Sequence, residues 1–170
     1  MLETPLGMHV TLSYSIRGHE MENLHLGWRA IESACRSLAE DIRVQNAGDK
    51  FECMVAIARG GLIPATLIYE YLGLNVPIYT LHMSSYHSDD RTQSKIKFRT
   101  LLLAGGFPEP ALVVDDIADS GNTMQAISKH GSFFKVTLAV EPRGEPFVNA
   151  YSILVPQDWW VIFPWEHDND

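Results

Sequence analysis

The chain has 170 residues, of which 46% are hydrophobic, and its formal net charge is −8 at pH 7. This length suits a single domain, and the apolar fraction is sufficient for a buried core. The negative charge argues against a nucleic-acid surface and a polybasic membrane anchor, because both need clustered basic residues. There is no signal-peptide pattern and no apolar run of about 18 residues. Cys35 and Cys53 lack metal-site spacing, so we expect reduced thiols in a cytoplasmic protein.

The elements predicted in chain order alternate between helices and strands. Residues 1–21 give little signal. Apolar residues at steps of three and four then predict an amphipathic helix from Asn23 to near Gly48. A second helix is predicted at Leu62–Leu72, with Pro64 in its first turn and Gly73 as its stop. Short apolar runs predict buried strands at Glu52–Ala58, Pro77–Met83, Ala111–Asp116, Phe133–Val140 and Tyr151–Val155, with a third helix at Met124–His130. Such alternation predicts a mainly parallel sheet with helices on its faces, and a ligand site at the carboxyl ends of the strands.

Two further segments do not fit this alternation. The polar stretch at 84–94 has no periodicity and predicts a binding loop or lid, which a ribbon at Lys95–Leu103 closes. The segment Trp159–Trp165, which we call the aromatic tail, is too rich in aromatic residues for a free end. We therefore expect the aromatic tail to cover another part of the molecule.

The most informative segment is Ala111–Thr123. An apolar run ends in two carboxylates, Asp115 and Asp116, and a loop of small polar residues follows at Asp119–Thr123. Small residues let the backbone approach a ligand, and Gly121 permits unusual dihedral angles. Free N–H groups and the dipole at the start of the next helix stabilise a phosphate, while the paired acids suit a polyol or a metal ion. This segment therefore predicts a sugar-phosphate site.

The segment Ala111–Thr123 resembles the phosphoribosyl-pyrophosphate (PRPP) motif of the type I phosphoribosyltransferases. In that motif an apolar strand, two acids and two spacers precede Asp-Thr/Ser-Gly-x-Thr, and every position has a match here. The resemblance implies an α/β fold, with a mainly parallel twisted sheet flanked by helices and a small aromatic C-terminal hood. It implies one domain over residues 1–170, with its core at about 22–140, a flexible loop at about 84–97 and the hood at about 141–170.

The same resemblance implies a Mg²⁺-dependent transfer of 5-phosphoribose from PRPP to a nitrogenous base, with release of pyrophosphate. Asp115 and Asp116 would hold the ribose hydroxyls, directly or through Mg²⁺, and Asp116 is the expected metal ligand. Asp119 is the expected catalytic residue, beside the ring nitrogen that attacks. The residues expected to bind PRPP are Arg59, Gly60, Arg91, Asp115, Asp116, Asp119, Ser120, Gly121, Asn122 and Thr123.

A second anion loop is expected because PRPP carries a pyrophosphate as well as a 5-phosphate. Arg59 offers a fork of donors, and Gly60 and Gly61 let backbone N–H groups point inward. The resemblance places the pyrophosphate loop at this point and implies an often cis peptide bond between Ala58 and Arg59. Arg91 is the candidate for a pyrophosphate contact from the lid, and a solvated loop charge is the alternative.

Two segments narrow the resemblance to the bacterial xanthine–guanine phosphoribosyltransferases, namely Ser84–Tyr86 and Val155–Trp165. The resemblance implies that an aromatic ring, here Trp160, stacks on a purine, and that the backbone of Val161 reads the 2-substituent. Stacking on a base is worth about 1–3 kcal/mol, although Trp160 as a core residue is the alternative. The resemblance also implies a homodimer or homotetramer.

One position departs from the family pattern. The family has a Lys-Pro step whose Lys donates to the purine 6-oxygen, whereas Glu141 stands here and a carboxylate only accepts. A downstream Arg is likewise replaced, by Glu145. Arg143 could supply the donor, the base could be an amino-heterocycle, or purine activity could be lost. The expected base-binding residues are Asp119, Glu141, Trp160 and Val161.

Two alternatives to an enzyme stay open. Glu141 is compatible with a non-catalytic nucleotide sensor, and the aromatic tail is compatible with a regulatory or assembly subunit. An RNA-binding role is disfavoured by the net charge of −8.

Overall fold

The computed structural model describes residues 23–45, 51–86, 95–98 and 106–166. Outside this described part lie residues 1–21, residues 87–94 of the predicted lid, which include Arg91, and residues 99–103 of the predicted ribbon. The elements are β1 (Asn23–His25), α1 (Trp28–Val44), β2 (Cys53–Ala58), α2 (Leu62–Leu72), β3 (Ile78–Tyr86), β4 (Lys95–Phe98), β5 (Ala111–Ala118), α3 (Asn122–Ile127), β6 (Phe133–Val140), a 3₁₀ turn (Glu145–Phe147), β7 (Ala150–Leu154) and β8 (Trp160–Ile162).

A six-stranded sheet in the order β4-β3-β2-β5-β6-β7 forms the centre of the fold. All neighbouring strands in it run parallel except β4, which pairs antiparallel with the end of β3. The central strands β2 and β5 are apolar and buried through most of their length, as expected for parallel strands covered on both faces. The predicted mainly parallel α/β fold is confirmed.

The helices divide between the two faces of this sheet. On one face α1 and α2 pack together over a core that includes Leu38 and Ile68. The buried side chains of α1 recur at steps of three and four, which is why this segment folds as an amphipathic helix. On the other face α3 contributes Met124 and Ile127 to a second core. The sheet is therefore the middle layer of a three-layer fold.

A second, two-stranded sheet attaches the aromatic tail to the start of the described chain. Strands β1 and β8 pair in parallel, with Leu24 opposite Val161. Phe163 follows β8, is 2% exposed, and stacks on Trp165 with ring centroids 4.8 Å apart. The prediction that the aromatic tail covers another part of the molecule is confirmed, since Val161 and Phe163 belong to the core beneath α1.

Several predicted boundaries were wrong. Helix α1 begins at Trp28 instead of Asn23, because Asn23–His25 pair with β8. Strand β3 continues through Ser84–Tyr86, which the polarity assigned to a loop, because β4 supplies hydrogen-bond partners there. Strand β4 itself confirms the start of the predicted ribbon at Lys95.

The third helix also differs from its prediction. It begins at Asn122, two residues early, because Gly121 adopts the left-handed conformation at φ 74° and starts the helix. It ends at Ile127, and the next amides bond only three residues back, from Lys129 N to Ala126 O and from His130 N to Ile127 O. This tighter 3₁₀-like pattern ends the α-helix before the predicted limit at His130.

Candidate active site

The two adjacent acids lie in the carboxyl-terminal half of β5, the strand between β2 and β6. Asp115 is only 8% exposed, and its Oδ1 accepts a hydrogen bond from the backbone N–H of Asp116 at 3.0 Å. Asp116 Oδ1 in turn accepts from the N–H of Ile117 at 2.8 Å. The local backbone therefore orients both carboxyl groups, but it supplies no cation to neutralise them.

The surroundings of this pair favour protonation. Burial raises the pKa of Asp115 well above its ordinary value of 3.8, and the charges of Asp116 and Asp119 raise it further. Burial also raises the pKa of Asp116, and the charge of Glu166 contributes to the increase. A hydrogen bond between the two carboxyl groups links their titrations, so the pair exchanges protons as a unit. Such a pair favours hydroxyl donors or a cation as its ligand.

The loop after β2 lies directly against the acidic pair. The peptide bond between Ala58 and Arg59 is cis, as the resemblance implied. A Cβ added at Gly60 would lie 1.7 Å from Asp116 Oδ2, and one at Gly61 would lie 2.5 Å from Val114 O. Only glycine allows this close approach. The side chain of Arg59 is exposed.

The loop after β5 is held by its own residues and by the hood. Asp119 Oδ1 accepts hydrogen bonds from Ser120 N and, at 3.0 Å, from Ser120 Oγ. A Cβ at Gly121 would lie 2.1 Å from Phe147 Cδ2. Gly121 also has no side chain to cap α3, so the first-turn N–H groups at Asn122 and Thr123 receive no side-chain cap. These amides and the hydroxyls of Ser120 and Thr123 form a set of donors that suits an anion.

The predicted base-binding residues have different environments. Trp160 is 61% exposed and Glu141 is 5% exposed. The carbonyl of Ile162 accepts from Leu26 N at 2.9 Å, so the backbone groups of Ile162 face β1. Because backbone groups alternate along a strand, the N–H and C=O of Val161 face away from β1. An exposed indole and outward backbone groups are compatible with base recognition on this side of β8.

Arg143, the expected substitute for the missing lysine, pairs with a neighbouring acid in this structure. Its side chain is exposed, and Nη1 donates to Asp158 Oδ1 at 3.3 Å. The carboxylate of Glu141 instead accepts from Gln157 Nε2 and from the backbone N–H of Asp158. The second replaced position, Glu145, accepts from Tyr151 OH at 2.7 Å.

Sequence reasoning missed several residues that shape the site. Phe147 packs against Gly121, and a Cβ at Gly144 would lie 2.0 Å from Ala118 O. Gln157 and Asp158 donate hydrogen bonds to Glu141. The negative charge of Glu166 contributes to the raised pKa of Asp116. Of these residues, only Gly144 could have been noticed in the sequence, because it is a glycine that follows shortly after a predicted buried strand. The other contacts join residues that are distant in sequence and have no spacing rule.

The residues present fit magnesium bound together with a phosphorylated substrate. Among the described residues, no group of three or more His, Cys, Asp or Glu side chains could hold a metal ion by itself. Mg²⁺ commonly takes only one or two protein carboxylates, with substrate phosphates and water filling the other positions. Asp115 and Asp116 supply carboxylates of that kind.

A family model described as "Phosphoribosyl transferase domain" matches residues 26–132, which is more than half of the chain. The chain belongs to this family. It is therefore a phosphoribosyltransferase, as the segment Ala111–Thr123 predicted.

Within the described residues, no helix is both long enough and apolar enough to span a membrane.

Individual proteins similar to this chain match most of its length. The xanthine-guanine phosphoribosyltransferase of Roseobacter denitrificans is 32% identical over 155 residues, which cover 87% of each protein. A crystal structure of a purine phosphoribosyltransferase from Pyrococcus horikoshii has a TM-score of 0.72 and 25% identity, covering 88% of this chain and 97% of that one. A Neisseria gonorrhoeae protein crystallised with bound ppGpp has a TM-score of 0.65 and 27% identity, covering 89% of this chain and 93% of that one.

Proposed function

We propose that this phosphoribosyltransferase transfers 5-phosphoribose from PRPP to a purine base with Mg²⁺, which yields a nucleoside monophosphate and pyrophosphate. The observation that carries the proposal is the contact between Gly60 and Asp116, since it joins the loop after β2 to the acids at the end of β5. The purine base rests on the Roseobacter and Pyrococcus relatives, whose names give purine activities. Such a reaction belongs to purine salvage.

The two loops would hold the two charged ends of PRPP. Donors at Ser120–Thr123 suit the 5-phosphate, while Arg59 and the amides of Gly60 and Gly61 suit the pyrophosphate. The carboxyl pair between the loops would accept the ribose hydroxyls. Arg91, outside the described residues, is proposed to reach the pyrophosphate from the lid. Fixing both ends leaves the anomeric carbon in a defined place, which removes much of the entropic barrier.

Asp115 and Asp116 would hold Mg²⁺ together with the substrate, with Asp116 as the direct ligand. When bound, Mg²⁺ supplies positive charge that stabilises the departing pyrophosphate oxygens. Arg59 would act on the same oxygens from the protein side.

Asp119 would act where the base attacks. A bond forms between a ring nitrogen and the anomeric carbon, while the bond from that carbon to pyrophosphate breaks and its electron pair leaves with pyrophosphate. The nitrogen carries excess positive charge as this happens, and the Asp119 carboxylate can accept its proton or stabilise the charge. Trp160 would stack on the purine plane, and the backbone of Val161 would contact its 2-substituent.

Pyrophosphate release from PRPP and Mg²⁺ across a panel of bases tests this proposal. We expect release with xanthine, guanine or hypoxanthine, and a matching nucleoside monophosphate by mass spectrometry. Release only with 6-amino bases would support the alternative that Glu141 alters the specificity. The absence of release with every base, from a protein that still binds PRPP, would contradict the transferase reaction.

A nucleotide-sensing role is the second candidate, and the Neisseria relative with bound ppGpp favours it. The same two loops would then hold the two phosphorylated ends of a guanine nucleotide. Calorimetry with ppGpp and with PRPP separates the candidates. Micromolar ppGpp binding without pyrophosphate release supports the sensor, while competition between ppGpp and PRPP at an active site supports an enzyme that a nucleotide inhibits.

Three further properties stay predictions. We propose a homodimer or homotetramer, which sedimentation would test, and a cytoplasmic location, which cell fractionation would test. The location fits Cys35 and Cys53, which are both buried and form no disulfide. The single domain over residues 1–170, with core, loop and hood at about 22–140, 84–97 and 141–170, is testable by limited proteolysis.

A further inference from the structure

A buried carboxylate stands where the chain leaves the central sheet. Glu141 directly follows β6 and is 5% exposed. Its backbone N–H donates to Ala118 O at 3.0 Å, at the end of the strand that carries the acidic pair. Its Oε2 accepts from the side-chain amide of Gln157 and, at 3.1 Å, from the backbone N–H of Asp158. Both donors come from the segment that leads into the aromatic tail.

A second pair of contacts joins the same two segments. The backbone N–H of Arg143 donates to Gln157 Oε1 at 3.1 Å, and its Nη1 donates to Asp158 Oδ1 at 3.3 Å. Asp158 adopts the left-handed conformation at φ 66°, two residues before Trp160. We call Glu141, Arg143, Gln157 and Asp158 the clasp. It ties the residues after β6 to the residues that set the direction of β8.

The members of the clasp do not contribute equally. The ion pair between Arg143 and Asp158 is largely exposed, with side chains 66% and 72% accessible, and such pairs add little. Glu141 is buried, so its carboxylate requires hydrogen-bond partners, and removal of the acceptor would leave Gln157 Nε2 and Asp158 N without theirs. Glu141 is therefore the member on which the clasp depends.

We propose that Glu141 is a positioning residue, which fixes the aromatic tail over the base site through Gln157 and Asp158. This inference rests on the proposed function, because the base is taken to bind beside Trp160 and Val161. It replaces the expectation that Glu141 contacts the base itself. What matters at position 141 is then a hydrogen-bond acceptor, and its negative charge is dispensable.

Kinetics of three single variants and one double variant at positions 141 and 157, with one control, test the proposal. In Glu141→Gln the amide oxygen can still accept both hydrogen bonds, so we expect the KM for the base to change by less than about threefold. Glu141→Leu loses both acceptors, and its KM for the base should rise by about tenfold or more, with the KM for PRPP within about threefold. Gln157→Leu should resemble Glu141→Leu, and the double variant should be no worse than either single one. Glu70→Leu removes an exposed carboxylate from α2, away from the aromatic tail, and serves as the control.

A measurement without substrates separates this proposal from the proposed function. Backbone hydrogen exchange at 157–163 should accelerate by about tenfold in Glu141→Leu and Gln157→Leu, and stay unchanged in Glu141→Gln and Glu70→Leu. If the wild type transfers no phosphoribose, the exchange data still decide whether the clasp holds the tail. Equal loss of base affinity in Glu141→Gln and Glu141→Leu, with unchanged exchange in both, would overturn the positioning role and favour direct base contact. If Glu141→Leu does not fold, the comparison of Glu141→Gln with Gln157→Leu remains decisive.

Discussion

Asp115 has a carboxyl group that is buried in the sheet and has no ion pair with any of the described residues. Its hydrogen bond from Asp116 N satisfies one oxygen, and the neighbouring carboxyl of Asp116 adds like charge when both ionise. A core residue chosen for stability alone would be apolar here. The proposed role of Asp115 in binding the substrate accounts for the free energy lost by burying this group.

This imbalance predicts a pH-dependent gain in stability for Asp115→Asn. Because burial and Asp116 raise the pKa of Asp115 above 3.8, the folded protein holds this proton more tightly than the unfolded chain. The free energy of unfolding of the wild type therefore falls as the pH rises from about 3.8 through the raised pKa. Asparagine removes this loss and keeps the acceptor for Asp116 N. We expect a gain of about 0.5–2 kcal/mol at pH 7.5 that disappears below the pKa of the unfolded chain.

Urea unfolding at several pH values measures this gain. Asp158→Asn is the control, because its carboxylate is 72% accessible and Asn also tolerates its φ of 66°. The control should change little with pH. A loss of stability in Asp115→Asn that is equal at all pH values would contradict a penalty on the Asp115 charge.

Substitution of Asp119 should have a different effect from substitution of Asp115, because it should slow the reaction and leave the fold intact. Asparagine can accept the same hydrogen bonds from Ser120 N and Oγ, so the loop keeps its geometry. It cannot take a proton from the attacking nitrogen. We expect kcat of Asp119→Asn to fall by about 10²–10⁴-fold, with PRPP affinity within about threefold by calorimetry. Unchanged turnover would rule out the catalytic role.

At the scale of elements, the parts of the fold with local signals were predictable. Helix α2 has the predicted bounds, because Pro64 suits its first turn and Gly73 takes the left-handed C-cap at φ 65°. Strand β6 follows its apolar run from Phe133 to Val140. The pairing of β1 with β8 was not predictable, because it joins Asn23 to Trp160 across most of the chain and neither three-residue strand has a period of its own.

The candidate site likewise has a part that the local sequence predicted and a part that it did not. The segment Ala111–Thr123 carries its chemistry in adjacent residues, so its strand and loop could be predicted from the sequence. The clasp partner of Glu141 could not be predicted, because Gln157 lies 16 residues away and has no diagnostic spacing. The family resemblance placed Glu141 at the base, and only the structure shows that its buried carboxylate accepts hydrogen bonds from Gln157 and Asp158.

The close packing of the loop after β2 predicts that one methyl group added at Gly60 disrupts PRPP binding. In Gly60→Ala the new Cβ would meet the carboxylate of Asp116 at 1.7 Å, so this carboxylate must move. A displacement of about 1 Å in a binding group can reduce activity about 100-fold. We expect a loss of kcat/KM for PRPP near that size in steady-state kinetics.

Gly27→Ala provides the control for Gly60→Ala, because nothing lies within 4 Å of a Cβ there and its φ is −87°. It should leave kcat/KM for PRPP unchanged. Full activity in Gly60→Ala would mean that Asp116 does not need its present position. It would also mean that the loop after β2 and the acidic pair contribute independently to PRPP binding.

At the scale of the whole molecule, the aromatic tail belongs to the main core as well as to the candidate base site. Phe163 is buried beside Val161 in the core beneath α1, and Trp165 lies between Phe163 and the ring of Trp28, whose centroid is 6.1 Å away. Glu166 closes the turn that follows, since its Oε2 accepts from Phe163 N at 3.1 Å. Unfolding of the tail therefore exposes core surface, and the proposed base recognition by the tail depends on the stability of the whole domain.

This coupling predicts that Phe163→Ala destabilises the entire domain and also weakens base binding. Truncating a fully buried phenylalanine lowers the free energy of unfolding by about 3–5 kcal/mol, which urea titration can measure. Leu154→Ala is the control, because Leu154 is 47% exposed on β7 and its truncation should change stability by less than about 1 kcal/mol. Both variants should keep a single transition, since the tail and the sheet share one core. An early, separate transition in Phe163→Ala, with the main transition unchanged, would show that the tail unfolds independently and that the site can lose its base contacts without losing the sheet.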